Sequence, residues 1–401
     1  MYIGHSMGNR GFGTPLWISG CDVVQPDRVI PGGVVIAAEG RIAFAGTASE
    51  APTAPAGARR LKADGLLATP ALWEMHIHGC AGISTEQMTP DSLKEMAGFL
   101  AGRGVGAFLP TVVPHEQTLA DLGQALDAAG EICGRAVGIH VEGPFVSPSR
   151  RGAIPPELLR PPSKEYLDRM VELTRHHLRV LTIAPELTGA ADLIARLPSL
   201  GVLPSLGHSD ASFETVEDLP RPALLSVTHL FNGMSGVSHK SPGLAQWALL
   251  DREVYTELNC DGAHVHDAAV RLALRLRPGD RVVVISDAVA PAGLPSDRPP
   301  GSLYGAPLTA KGAGLYYRDS GVLVGSRFLV MDELARLVGH FGLPVAGAVA
   351  MATTNPARLL GYAAKGALRP GFDADIALFE PDFSSCRMLA WQGGILHDTG
   401  L

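Results

Sequence analysis

The chain has 401 residues, a net charge of −7, and 46% hydrophobic against 18% charged residues. That balance excludes a disordered chain and predicts a sizeable buried core, while the acidic charge argues against a nucleic-acid scaffold. No apolar run approaches the roughly 20 residues that span a bilayer, so a soluble enzyme acting on a small molecule is expected, with neither nucleic acid nor membrane as partner.

The first twenty residues hold several glycines, Asn9 and Arg10 but no continuous apolar stretch, and no signal peptide is read there. Residues 21–24, 33–38 and 41–45 are short strand-like segments separated by turns. A matching fragment closes the chain, with strand-like segments at 374–379 and 385–391 after the turn Arg369-Pro370-Gly371. Residues 1–68 and 366–401 are therefore expected to build one small β-sandwich domain from both ends of the chain.

Between them, over residues 69–365, strand-like and helical segments alternate, which predicts a parallel α/β architecture. The strand candidates are 71–78, 107–111, 136–140, 180–184, 203–206, 224–228, 254–258 and 281–286. Helical stretches at 91–103, 119–132, 164–176 and 190–197 lie among them. Eight strands is the count of a TIM (β/α)8 barrel, whose reacting groups stand at the C-terminal ends of the strands. An open doubly wound sheet would carry a glycine-rich phosphate turn after its first strand; here that position reads His76-Ile77-His78-Gly79.

The side chains able to bind metal fall at these strand ends. His76 and His78, two residues apart, share one side of the first strand. Glu142 follows the third strand, His208 the fifth, His229 the sixth and Asp287 the eighth. A barrel would bring all six to one rim. Nitrogen and oxygen ligands without thiolate suit a divalent metal, zinc first, with iron or manganese as alternatives. A carboxylate beside such a metal can take a proton from water and pass it to a leaving amine, and Asp287 is the candidate; the alternative is a helix cap before Ala288. A carboxylated lysine bridging two metals is ruled out after strand four, because the chain has six lysines and none between Lys164 and Lys240. Either Glu142 bridges, or one metal binds. The five cysteines, Cys21, Cys80, Cys133, Cys260 and Cys386, are scattered singly. They are read as structural and reduced, in keeping with a cytoplasmic location.

These residues resemble those of the amidohydrolase superfamily, and within it the N-acetylglucosamine-6-phosphate deacetylases. The specific stretches are His140-Val141-Glu142-Gly143-Pro144-Phe145, Gly207-His208-Ser209, Thr228-His229-Leu230-Phe231-Asn232, Asp261-Gly262-Ala263-His264-Val265-His266 and Ser286-Asp287-Ala288. The resemblance implies metal-dependent hydrolysis of the acetamide of an N-acetylated amino sugar, N-acetylglucosamine 6-phosphate first. Glu142, His208 and His229 are then the main metal ligands, His76 and His78 those of a second position, and Asp287 the catalytic acid and base. His264, Asn232, Gly233, Lys240 and Arg151 are the implied substrate-binding residues, and a homodimer is implied, with Lys240 reaching a neighbour's phosphate. The chain departs from the family pattern at four places. Glu74 replaces the usual Asp, Gly233 replaces Ala and should widen that wall, Lys240 replaces Arg, and Ile154 replaces a His that contacts substrate. Ile154 cannot donate a hydrogen bond and Lys240 lacks a bidentate fork, which leaves another N-acetyl sugar, an N-acyl amino acid or a formamide as the alternative substrate.

Overall fold

The computed structural model describes residues 14–130 and 135–401. Cys133, the end of the expected helix at 132, and most of the stretch read for a signal peptide lie outside them. All eight barrel segments form strands: Leu72–Ile77, Val105–Val112, Ile139–Glu142, Leu178–Ile183, Leu203–Leu206, Ser226–Val227, Tyr255–Leu258 and Val282–Val284. They pair in parallel with their neighbours in chain order. The eighth strand returns to the first just beyond its end: the Asp287 N–H donates to the His76 carbonyl (3.0 Å) and the His78 N–H to the Ala288 carbonyl (2.7 Å). The sheet thus closes as a barrel at the rim that carries His76, His78 and Asp287.

Helices cover the outside, among them Pro90–Ala101, Glu116–Ala128, Lys164–Leu173, Ala190–Arg196 and Asp267–Leu276. The first begins where Thr89 accepts a hydrogen bond from the Ser92 N–H and Pro90 fills the first helical position, where its missing donor costs nothing. The third stops at Leu173 rather than at 176, because Arg175 and His176 adopt φ of 52° and 64° to reverse the chain into the fourth strand. One apolar cluster, including Trp73, Met75, Leu109, Val180, Leu203, Tyr255 and Val283, takes alternate residues of the strands as the lower filling of the barrel. A polar layer lies above it: His140 Nε2 contacts Thr182 Oγ1 (2.8 Å), and Thr228 Oγ1 meets both Thr182 Oγ1 (2.9 Å) and Ser205 Oγ (2.7 Å).

The second sheet unites the two ends of the chain. Its strands are Leu16–Val24, Val29–Ala38, Arg41–Gly46, Arg59–Lys62, Leu67–Pro70, Ile376–Phe379, Cys386–Trp391 and Gly394–Asp398. Leu67–Pro70 pairs with Ile376–Phe379, which joins the early and late strands. The first strand pairs with Arg59–Lys62 along one half and with Leu67–Pro70 along the other, so the sheet branches and folds over a core that includes Ile18, Val23, Val35, Leu61, Ile376 and Met388. Gly104, which leads the first helix into the second barrel strand, rests on this domain with φ +75° and would place a Cβ 2.1 Å from the buried Phe379 ring. Gly104→Ala is expected to lower stability by roughly 2–4 kcal/mol through overpacking and left-handed strain, measured by urea unfolding.

The largest element that was not expected follows the barrel. After the eighth strand come four short antiparallel strands, Ser302–Leu303, Ala306–Lys311, Gly314–Tyr317 and Leu323–Ser326. Tyr304 and Gly305, at φ 48° and 77°, form the first tight turn of this insertion, and their positive φ suits the turn that right-twisted strands prefer.

Candidate active site

The first strand carries an irregularity where it matters. Its register with the second strand shifts between Glu74 and Ile77, and such a bulge re-aims the side chains that follow. Glu74 fills the gap in the ladder: its Oε1 accepts from the His76 N–H (3.2 Å) and the Ser286 N–H (3.3 Å). His76 and His78 then turn into the barrel mouth with their Nε2 atoms 3.2 Å apart. His208, His229 and Asp287 have φ of 47°, 28° and 51°, a region that non-glycine residues rarely adopt and that concentrates at functional sites. No helix starts after Asp287, so it is not a cap.

The structure brings all six side chains together. Glu142 Oε1 lies 2.9 Å from Nε2 of both His208 and His229, whose own Nε2 atoms are 3.2 Å apart. Its other oxygen lies 3.2 Å from His78 Nε2. Asp287 Oδ1 is 3.6 Å from Nε2 of both His76 and His78, and its Oδ2 is 3.2 Å from His264 Nε2. Asp261 fixes His264 from behind, with Oδ2 2.9 Å from Nδ1. Two groups of donors emerge, Glu142 with His208 and His229, and His76 with His78 and Asp287.

This donor set fits a metal. The Arg150 carbonyl lies 2.7 Å from His208 Nδ1 and can only accept, so Nδ1 carries the proton and Nε2 turns a lone pair toward Glu142. Electron-pair donors crowded on one buried point repel one another unless positive charge sits among them, and divalent cations bind such nitrogen and oxygen ligands. The field has the required sign. Burial works against ionisation of Glu142, yet His208, His229 and His78 together overcome it and hold the carboxyl well below its usual range. Asp287 is likewise held low against burial, chiefly by His76. Burial pulls His76 and His264 down, but the facing carboxylates, Asp287 beside His76 and Asp261 with Asp287 beside His264, raise each to about 10.

His78, Glu142, His208, His229 and Asp287 form the floor of a cavity of about 220 Å³, with His76 fully buried behind them. Its walls include Ser84, Glu86, Val113, Gly152, Ile154, Asn232, Gly233, His264, Leu303 and Tyr304. Ile154 packs against Val113 and Val146, making that wall apolar. Gly233 does not widen the cavity as expected. A methyl group there would lie 2.9 Å from His208 Nδ1 and 3.1 Å from the Arg150 carbonyl at φ +54°, so glycine lets the loop close onto the His208 ring. Lys240 and Arg151 are not brought to the cavity: Lys240 is exposed on its loop, and Arg151 braces its own turn by donating to the Ile154 carbonyl at 2.7 Å. Arg150 is paired with Asp210. Cys80 and Cys260 are buried and free, and burial pushes the Cys80 thiol up to about 12.

Sequence reasoning missed Glu86, Tyr304, Leu303 and the 322–324 segment, all on the cavity wall. The last three belong to the antiparallel insertion, whose signal was the turn at Tyr304-Gly305. Glu257 was missed as well. It is a buried strand residue that touches both His76 and the His229 backbone.

Residues 266–392 match the amidohydrolase family. The N-acetylgalactosamine-6-phosphate deacetylase of Escherichia coli O157:H7 is 35% identical over 324 residues, covering 79% of this chain and 84% of that relative. The N-acetylglucosamine-6-phosphate deacetylase of Bacillus subtilis (strain 168) is 31% identical over 382 residues, 92% of this chain and 93% of the relative. A solved N-acetyl-D-glucosamine-6-phosphate deacetylase from Mycobacterium smegmatis, in complex with N-acetyl-D-glucosamine-6-phosphate, matches with a TM-score of 0.85 at 26% identity. It covers 96% of this chain and 100% of that one. Fold, donor groups and relatives define an amidohydrolase, a metal-dependent enzyme that cleaves amide bonds. Within that superfamily, the chain belongs to the N-acetylglucosamine-6-phosphate deacetylase family.

Proposed function

We propose that the chain removes the acetyl group from an N-acetylated hexosamine 6-phosphate, N-acetylglucosamine 6-phosphate foremost, releasing acetate and the free amino sugar phosphate. The observation that carries this reading is Asp287, aimed with one oxygen at His76 and His78 and held by His264 at the other, on the floor of the cavity. The names of the relatives support the substrate. Glu142, His208 and His229 would hold one ion, zinc in this reading, and His76 and His78, with Asp287 beside them, a second; Glu142 turns one oxygen to His208 and His229 and the other to His78. When bound, such an ion supplies Lewis-acid polarisation of the acetamide carbonyl and acidity to the attacking water. Asp287 takes the proton of that water as its oxygen adds to the carbonyl carbon, then delivers it to the nitrogen as the carbon–nitrogen bond breaks. His264 donates to Asp287 Oδ2 and keeps the carboxylate oriented, with Asp261 fixing the imidazole. The apolar wall at Val113 and Ile154 limits access of bulk water.

In a homodimer, as the family resemblance implies, the exposed Lys240 would meet the phosphate held by a second copy. Lys240→Ala is then expected to raise KM for the phosphorylated sugar about 10–100-fold, the value of a charged hydrogen bond, with kcat nearly unchanged in steady-state assays. The unpaired buried cysteines suit the cytoplasm.

A second reading keeps the chemistry and drops the phosphate. Among the described residues that line the cavity there is no Lys or Arg, and Glu86 adds a carboxylate. Rates on N-acetylglucosamine 6-phosphate, N-acetylgalactosamine 6-phosphate and unphosphorylated N-acetylglucosamine decide between the two. A strong preference for a phosphorylated sugar is expected; equal or faster turnover of the unphosphorylated one would establish the second reading.

A further inference from the structure

Glu257 lies on the seventh strand, 1% exposed, under the donor cluster. Its Oε2 is 3.2 Å from Nδ1 of His76 and accepts the N–H of His229 at 3.3 Å. One carboxylate oxygen therefore touches a member of each donor group, through the ring in one and through the backbone in the other. The contact with His76 sets its tautomer. A carboxylate only accepts, so Nδ1 keeps its proton, and Nε2, on the side of His78, Glu142 and Asp287, is the nitrogen left to give up a proton and take a metal. The contact with His229 anchors a residue whose φ of 28° has no support from regular structure.

A different role is excluded by its neighbours. Glu257, His76 and His140 place their polar atoms within 4.8 Å of one another, which raises the question of a third donor group. Both nitrogens of His140 are occupied, Nδ1 beside the Met75 carbonyl (3.3 Å) and Nε2 on Thr182 Oγ1 (2.8 Å). His76 Nδ1 is already engaged with Glu257. The trio is scaffold. Nor does Glu257 serve stability alone, because its Oε1 is buried without a hydrogen-bond partner, and a buried unpartnered polar atom is destabilising.

We infer that Glu257 is a positioning residue that couples the two donor groups, presenting His76 in its ligating tautomer while fixing the backbone of His229. This rests on the reading of those histidines as metal ligands. The consequence is that a neutral residue at 257 weakens every metal position the wild-type protein fills, without unfolding it.

The test uses metal-free full-length protein, wild type and Glu257→Gln, titrated with zinc against a chromophoric competitor, with metal content read by mass spectrometry and metal-free stability by thermal unfolding. The variant should bind zinc 10–100-fold more weakly at each filled position, the usual effect of removing a partner that orients a ligand. Its metal-free unfolding temperature should equal or exceed that of wild type. Zinc affinity within twofold of wild type would overturn the inference, as would a large loss of metal-free stability with affinity unchanged, the signature of a merely structural role. Glu257→Ala, which cannot introduce a new donor, should show the same weakening and decides the matter if Glu257→Gln does not fold. Failure of the wild type itself to bind zinc would instead overturn the ligand reading on which this stands.

Discussion

Asp287→Asn is expected to lower kcat for acetamide hydrolysis by about 10²–10⁴-fold, the range for loss of a positioned general acid and base, while metal content stays near the wild-type value. The amide keeps the shape of the carboxylate and can still meet His264, whose Nε2 lies 3.2 Å away. What it cannot do is take a proton from water and return it to a departing nitrogen. Glu142, His208 and His229 form their group without Asp287, so binding there persists. Steady-state rates alongside metal analysis of the same preparation separate the two roles, and a variant that retains most of its activity would remove Asp287 from the chemistry.

Glu142→Ala should produce the opposite pattern, with metal affinity reduced by more than about tenfold and activity lost with it. Glu142 is the hub of the cluster: Oε1 lies 2.9 Å from both His208 and His229, and Oε2 lies 3.2 Å from His78. Its removal leaves histidine nitrogens facing one another with no carboxylate between them. No lysine stands between Lys164 and Lys240 to take over a bridging role. His78→Ala, by contrast, touches one donor group and leaves Glu142, His208 and His229 intact. Parallel metal titrations of the two variants check this. Full metal content in Glu142→Ala would show that the ligands lie elsewhere.

The barrel was legible because its strands are short apolar runs recurring between helices, and each of the eight expected segments overlaps an observed strand. The six side chains of the donor cluster were legible for a related reason. Strand ends converge in a closed barrel, so His76, His78, Glu142, His208, His229 and Asp287 could be grouped without any contact being known. The limits are equally physical. A bulge leaves no mark in hydrophobic alternation, so neither the register shift after Glu74 nor the role of its carboxylate in bridging that gap was visible. The strand at Arg59–Lys62 is short and mostly exposed and Gly394–Asp398 is half-buried for most of its length, so neither has the apolar alternation that announces a strand. The antiparallel insertion at 302–326 broke the α/β alternation that had organised the reading. Side-chain direction was also hidden: Arg151 stands in the right stretch of sequence yet spends its guanidinium on the Ile154 carbonyl. Glu257 reads as an ordinary strand residue until the fold sets it against His76 and His229.

The most direct measurement is acetate release from N-acetylglucosamine 6-phosphate, followed by proton NMR, with purified protein stripped of metal by a chelator and then reloaded with zinc. The account predicts no release by the stripped protein and restoration on reloading. Undiminished release by the stripped protein, or no acetate from any N-acetylated sugar after reloading, would contradict it.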